Sequence, residues 1–272
     1  MACGEFGVGR LAEPDAILSA LETYFKKKPL EGLKAVVTSG PTYEPIDPVR
    51  FIGNRSSGKQ GHAIAQALHD AGAEVILVTG QVALPDPVGV KTHHIETALQ
   101  MQDAVMNALP ADIAVCAAAV ADWRPETYTE GKIKKNQDKT PPALQLIENP
   151  DILKSLSSHP QRPQLVIGFA AETENVQKAA QEKLLRKGCD WIAANEVGKS
   201  ENPVFGTDQN RVILYTRTSQ DEWPLMSKQQ VATKLVEKIA EHFTREETNG
   251  TSQSESSTRT NEPSSRSGRH SA

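Results

Sequence analysis

Short apolar runs rich in β-branched residues alternate with amphipathic stretches along most of this chain, and that alternation limits its fold more than any other feature. Lys34–Ser39 (KAVVTS), Glu74–Thr79 (EVILVT), Asp112–Ala118 (DIAVCAA), Leu165–Ala170 (LVIGFA) and Trp191–Ala194 (WIAA) read as buried strands. Val90–Ile95 reads as a weaker strand and Val212–Thr216 as a last one. Helices are predicted over Ser57–Ala71, Ala98–Leu109, Asn175–Lys187 and Lys228–Phe243. The first sets Ala63, Ile64, Ala67 and Leu68 on one face, and the last carries a stripe of Val231, Leu235, Ile239 and Phe243. Strands this continuously apolar must be covered on both faces, and strand–helix alternation predicts parallel pairing. The expected fold class is α/β: a Rossmann-like doubly wound parallel sheet.

Glu126–Glu148 (ETYTEGKIKKNQDKTPPALQLIE) interrupts the alternation with a polar, lysine-rich insertion that ends in an alternating ALQLIE. An insertion of that length beside a strand end is expected to be a lid or an extended arm. Residues 244–272 contain no Leu, Ile, Val, Phe, Met, Trp or Tyr, so they cannot bury enough apolar area to offset the entropy of ordering and are expected to be a disordered tail. That leaves 31–243 as the folding domain and 1–30 as a linker-like leader.

The charge balance excludes several classes of function. Lys+Arg 30 against Asp+Glu 34 gives a net charge of −4, which offers no footprint for nucleic acid or an anionic membrane. No apolar run approaches the ~20 residues that span a bilayer, and no signal peptide opens the chain. Cys3, Cys116 and Cys189 are far apart and form no CxxC pair, which fits a reducing cytoplasm better than a disulfide framework or a structural zinc site. His93 and His94 are neighbours in a strand and point to opposite faces, a poor arrangement for one metal ion.

In a doubly wound sheet, ligands bind beyond the carboxyl ends of the strands. The segment reaching there first is TSGPTYEPIDPVRFIGNRSSGKQG (38–61): a strand end at Gly40, a loop with Pro41, Pro45 and Pro48, then a Gly/Ser turn opening a helix. Ser56, Ser57, Gly58 and Gly61 let the backbone approach an anion at that helix N-terminus. Gly53 to Lys59 imitates a phosphate-binding P-loop, but Gln60 stands where Ser or Thr would meet Mg²⁺. Pro41 and Thr42 follow Gly40, so the dinucleotide GxGxxG is absent and an NAD-dependent oxidoreductase is disfavoured.

Six segments in order, GPTYEPIDPVRFIGNRSSGKQG, AAAVADWRP, KIKK (Lys132–Lys135), NPDIL (Asn149–Leu153), GFAAET (Gly168–Thr173) and ANEV (Ala194–Val197), resemble phosphopantothenoylcysteine synthetase, the phosphopantothenate–cysteine ligase of coenzyme A synthesis. Ala2–Pro14 (ACGEFGVGRLAEP) is similar to the lid of the flavin-dependent decarboxylase often fused ahead of that ligase in bacteria. The rest of that decarboxylase is missing, so no flavin and no decarboxylation are expected here, Cys3 notwithstanding.

The resemblance implies a cytoplasmic homodimer with an inserted lid and dimerisation arm, acting on 4′-phosphopantothenate, L-cysteine and CTP. Mg²⁺ is expected only as companion of the triphosphate, with no protein-held metal. By the same resemblance, Asn54 holds the activated acyl group and Lys132 stabilises its formation. Gly40, Ser56, Ser57, Gly58 and Gly61 form the phosphate-binding backbone. Ala118, Asp122, Pro150, Asp151, Ile152, Leu153, Phe169 and Asn195 line the nucleotide pocket, with Asn54, Ala118 and Asp122 also touching the acyl substrate. Lys183 and Lys187, one helical turn apart, reach phosphates, and Arg50 reaches the neighbouring subunit's substrate. ATP in place of CTP, a P-loop NTPase built on Gly53–Lys59 and a non-catalytic nucleotide-binding module are the alternatives.

Overall fold

The computed structural model of the chain describes residues 13–15, 17–18, 28–134, 143–172, 176–196 and 208–257. Its elements run β1 (Lys34–Ser39), β2 (Tyr43–Pro45), β3 (Phe51–Gly53), α1 (Lys59–Asp70), β4 (Glu74–Thr79), β5 (Lys91–His94), α2 (Ala98–Asn107), β6 (Ile113–Cys116), β7 (Trp123–Pro125), β8 (Leu146–Glu148), α3 (Ile152–Ser157), β9 (Leu165–Glu172), α4 (Val176–Lys187), β10 (Trp191–Glu196), β11 (Gln209–Asn210), β12 (Ile213–Tyr215), β13 (Gln220–Glu222), β14 (Met226–Ser227) and α5 (Lys228–Ser257).

Eight strands form one sheet in the order β13-β12-β10-β9-β6-β1-β4-β5. From β5 to β10 the pairing is parallel. Side chains alternate across it. Ala35, Val37, Val75 and Leu77 enter one core with residues of α1 and α5. Val36, Ile76 and Val78 enter the other with residues of α2, α3 and α4. Val37, Leu77, Ile113, Leu165 and Ile167 are wholly buried, each contributing about 1.5–3 kcal/mol of apolar transfer. The chain leaves β1 toward β4 and β5, then returns to the opposite side of β1 with β6. The strand order therefore reverses between β1 and β6, which is the doubly wound switch point.

Three expectations are corrected. The sheet is mixed rather than all parallel, because β12 runs antiparallel to β10 and β13 antiparallel to β12; β12 enters from the sheet end at which β10 leaves, so no crossover intervenes. The first helix begins at Lys59 rather than Ser57, since Gly58 takes a left-handed conformation (φ 72°) at its N-cap. The last helix continues to Ser257, past the expected start of the tail at Thr244, because extending a packed helix needs no new nucleus. Residues 258–272, like most of the 1–30 leader and residues 135–142 of the insertion, lie outside the described residues.

Three short antiparallel pairs stand beside the sheet: β2 with β3, where Tyr43 stacks on Phe51 at 4.0 Å, β7 with β8, and β11 with β14. The second closes the base of the Glu126–Glu148 insertion.

Candidate functional site

A cavity of ≈ 610 Å³ opens at the switch point beyond β1 and β6. Backbone cross-links set its floor. Thr38 Oγ1 accepts from the Ala118 amide at 3.2 Å, Thr42 Oγ1 from Ala121 at 2.9 Å, and Gly40 O from Ala119 at 2.9 Å. Asn149 Nδ2 donates to Ala121 O at 2.8 Å, which ties the NPDIL segment to the same floor. Asn54 Nδ2 donates to Val120 O at 2.9 Å, so the Asn54 side chain lies against the β6 exit.

The α1 N-terminus forms one wall. Ser39 Oγ donates to Gly58 O at 2.9 Å and lies 3.0 Å from His62 Nδ1. Burial pushes His62 below its usual value, so the imidazole beneath the loop is held toward its neutral form. Gly61 lets α1 press on β1, as a Cβ there would stand 2.5 Å from Ser39 Cβ. The opposite wall carries Phe169, whose carbonyl accepts from Lys183 Nζ at 2.9 Å, and Lys187, whose ammonium pairs with Asp151. Asp151 also caps α3, accepting from the Lys154 amide at 3.1 Å.

Every expected site residue except Gly40, Arg50 and Lys132 lines this cavity. Gly40 is a packing glycine behind it: φ is 72°, and a Cβ would meet Val82 Cγ1 at 3.0 Å. Arg50 points to the arm instead. Its Nε donates to Asp47 at 3.0 Å and its Nη2 to Ile133 O at 3.1 Å. Asp47, only 2 % exposed, also accepts from the Ile133 amide at 3.1 Å. Ile133 is thus gripped at both backbone groups, which fixes the chain next to exposed Lys132. The Arg50 guanidinium beside Asp47 holds its carboxyl well below the usual carboxylate range.

Asp47, Asn149, Asn210 and Lys228 were not among the expected site residues, although Asn149 opens the NPDIL segment. Asp47 carried a signal, because Asp-Pro-x-Arg favours the turn in which its carboxylate takes the Val49 and Arg50 amides. Asn210 and Lys228 carried none. They line the cavity from β11 and the start of α5, brought there by the antiparallel edge. Cys116 also lines it, but burial pushes its thiol up to about 12, too high for a nucleophile near neutral pH. Among the described residues no cluster of three His, Cys, Asp or Glu side chains could hold a metal ion.

A helix N-terminus without a side-chain cap, the half-buried Lys183 and Lys187, the buried Lys228 and a cavity at the switch point mark this as a doubly wound α/β protein with a candidate ligand site suited to an anion. Residues 30–243 match the DNA/pantothenate metabolism flavoprotein C-terminal domain, and the chain belongs to that family. It is similar to the coenzyme A biosynthesis bifunctional protein CoaBC of Vibrio cholerae, 41% identical over 243 residues, 89% of this chain and 61% of the relative. The Bacillus subtilis CoaBC is likewise 41% identical, over 88% of this chain and 60% of the relative. The chain therefore spans about three fifths of the length of these relatives. The crystal structure of the C-terminal domain of a CoaBC protein aligns with TM-score 0.68 and 37% identity, covering 80% of this chain and 99% of that one. A Cab2 mutant in complex with phosphopantothenate-cysteine shares the fold at 17% identity, with TM-score 0.61.

Proposed function

We propose that the chain is a phosphopantothenate–cysteine ligase that uses CTP. A carboxylate oxygen of 4′-phosphopantothenate attacks the α-phosphorus, the bond to the β-phosphate oxygen breaks, and pyrophosphate leaves. The amine of L-cysteine then attacks the acyl carbonyl and loses a proton. The carbon–oxygen bond of the mixed anhydride breaks, and CMP departs as the amide forms. Joining two anions in the first step needs positive charge and oriented N–H donors. The α1 N-terminus, Lys183 and Lys187 supply both at the cavity, and Lys132 would supply more from the arm. Mg²⁺ would arrive on the phosphate oxygens, where it neutralises charge. Asn54, anchored on Val120 O at the cavity, would hold the activated acyl group for attack by the amine.

The carrying observation is that Asn54, Asp122, Phe169, Lys187 and Asn195, remote in sequence, line one cavity. A homodimer suits the arm: Phe51, Trp123, Tyr128 and Leu146 are large exposed apolar side chains on or beside β3, β7 and β8, the kind of surface a partner covers. A cytoplasmic setting suits the free thiols of Cys116 and Cys189. Among the described residues no helix is long and apolar enough to cross a membrane.

The test is pyrophosphate release with CTP and with ATP, each with and without cysteine. A single turnover of release without cysteine, and continuous release with it, is expected for CTP. Equal rates with ATP would overturn the choice of nucleotide. Binding of nucleotide without pyrophosphate release would overturn the enzyme reading in favour of a non-catalytic module.

A further inference from the structure

The cavity wall opposite Phe169 and Lys187 contains a cation that its surroundings do not satisfy. Lys228, the first residue of α5, is 9 % exposed and lines the cavity. Among the described residues no hydrogen-bond or ion-pair acceptor holds its ammonium. The carboxylate near it, Asp208, is engaged by Lys59 Nζ at 2.5 Å. Burial, then the charge of Lys59, pushes the Lys228 ammonium below its usual value, while Asp208 acts weakly the other way. A cation nine-tenths buried beside a second cation is costly unless an anion joins it.

Two further observations point to the same place. Among the described residues Asn210, 4 % exposed and also on the cavity wall, finds no partner for its buried Oδ1, while its Nδ2 turns to Gln60 Oε1 at 3.4 Å. The first turn of α1 is joined to α5 there, since Gln60 Nε2 donates to Lys228 O at 3.1 Å. α1 has neither a side-chain cap nor an acidic residue in its first turn. Its free amides therefore face the same corner as the ammonium.

We propose that Lys228, with the α1 N-terminus and Asn210, forms a phosphate-holding subsite at the far end of the cavity, a reading that rests on the ligase function proposed above. The chemistry required is a compact phosphate anion. Two parts of the reactants carry one: the terminal phosphates of the nucleotide, released as pyrophosphate, and the phosphomonoester of the acyl substrate. Lys228 would neutralise the charge while the α1 amides orient the oxygens.

The experiment uses the full chain. Inorganic pyrophosphate and inorganic phosphate are titrated calorimetrically into the native protein, K228Q and K228R, with thermal melting as a check on folding. Removing one charged hydrogen-bonding group from an anion should weaken binding of at least one probe by about tenfold to a hundredfold in K228Q. K228R should stay near the native value. If K228Q fails to fold, N210D serves, because it sets a carboxylate beside Lys228 that competes with the probe and should weaken it comparably. The KM for CTP or that for 4′-phosphopantothenate should rise with the same variant, and whichever moves identifies the source of the phosphate. Native-like affinity for both anions in folded K228Q, or in N210D where K228Q does not fold, overturns the subsite. Lys228-dependent anion binding in a protein that forms no amide would leave the subsite standing and overturn the ligase reading instead.

Discussion

At the ends of β1 and β6, the floor of the cavity is held by short-range cross-links among Thr38, Gly40, Thr42, Asn149 and the backbone of residues 118–121. The arm beside it rests on a different scheme. One buried carboxylate, Asp47, and one arginine grip Ile133, and large apolar side chains around β3, β7 and β8 face outward. The floor is cross-linked within itself; among the described residues the arm is tied at two points, Thr129 N on Ile46 O and Ile133 on Asp47 and Arg50, and leaves exposed apolar surface for something else to cover. On the proposed ligase reading, the first would position substrate and the second would cover an intermediate that water would hydrolyse.

This contrast predicts which changes strike turnover and which strike stability. Lys132→Ala, on the arm, should lower pyrophosphate release by about 10²–10³-fold, the scale for losing a transition-state charge contact, with thermal melting unmoved; a tenfold loss or less would remove Lys132 from the chemistry. Gly61→Ala, on the floor, should cost about 3 kcal/mol in denaturant unfolding, the upper range for overpacking, because its Cβ would meet Ser39. A native midpoint would show that α1 is not pinned to β1. Trp123→Ser should weaken self-association by on the order of 2 kcal/mol, as for a central aromatic anchor, read by sedimentation; an unchanged dimer would place the interface elsewhere.

Asp47→Asn keeps the shape of the clasp and removes its charge, so turnover should fall about tenfold, roughly the worth of one charge-assisted hydrogen bond. Asp47 is depressed in the fold. Its stabilisation of the arm is therefore complete above the ordinary carboxylate value, about 4, and is lost only as pH falls through a lower one. The Ile133 amide resonance should hold its position down to about pH 4 in the native protein, and movement near pH 5–6 would contradict the clasp. Cys116→Ala should change turnover less than twofold, because a thiol pushed up to about 12 takes no part; a large loss would assign it a role.

The sheet was largely legible, and the reason is local. Continuous β-branched runs at 34–39 and 74–79 leave no other way to bury those side chains; the reciprocal cap of Thr97 and Gln100 that starts α2 is seen only in the structure. The antiparallel β12–β13 edge was hidden because an apolar run carries no direction. β2 and β3 were hidden by the prolines around them. For the site, glycines and motif segments could be read, since backbone geometry and chemistry restrict their residue types. Lys228 and Asn210 belong to no motif. Only the return of the chain along the sheet edge brings them to the cavity.

Leu30 is fully buried against the main core, and its amide donates to Ala71 O at the end of α1. Pro29 shares a groove with Asp70, Thr244 and Arg245. The described chain thus approaches β1, and α5 runs outward, near the amino ends of the strands, opposite the cavity. Neighbouring modules can be exchanged, shortened or tethered on that side during evolution or engineering without standing in the path of a reactant.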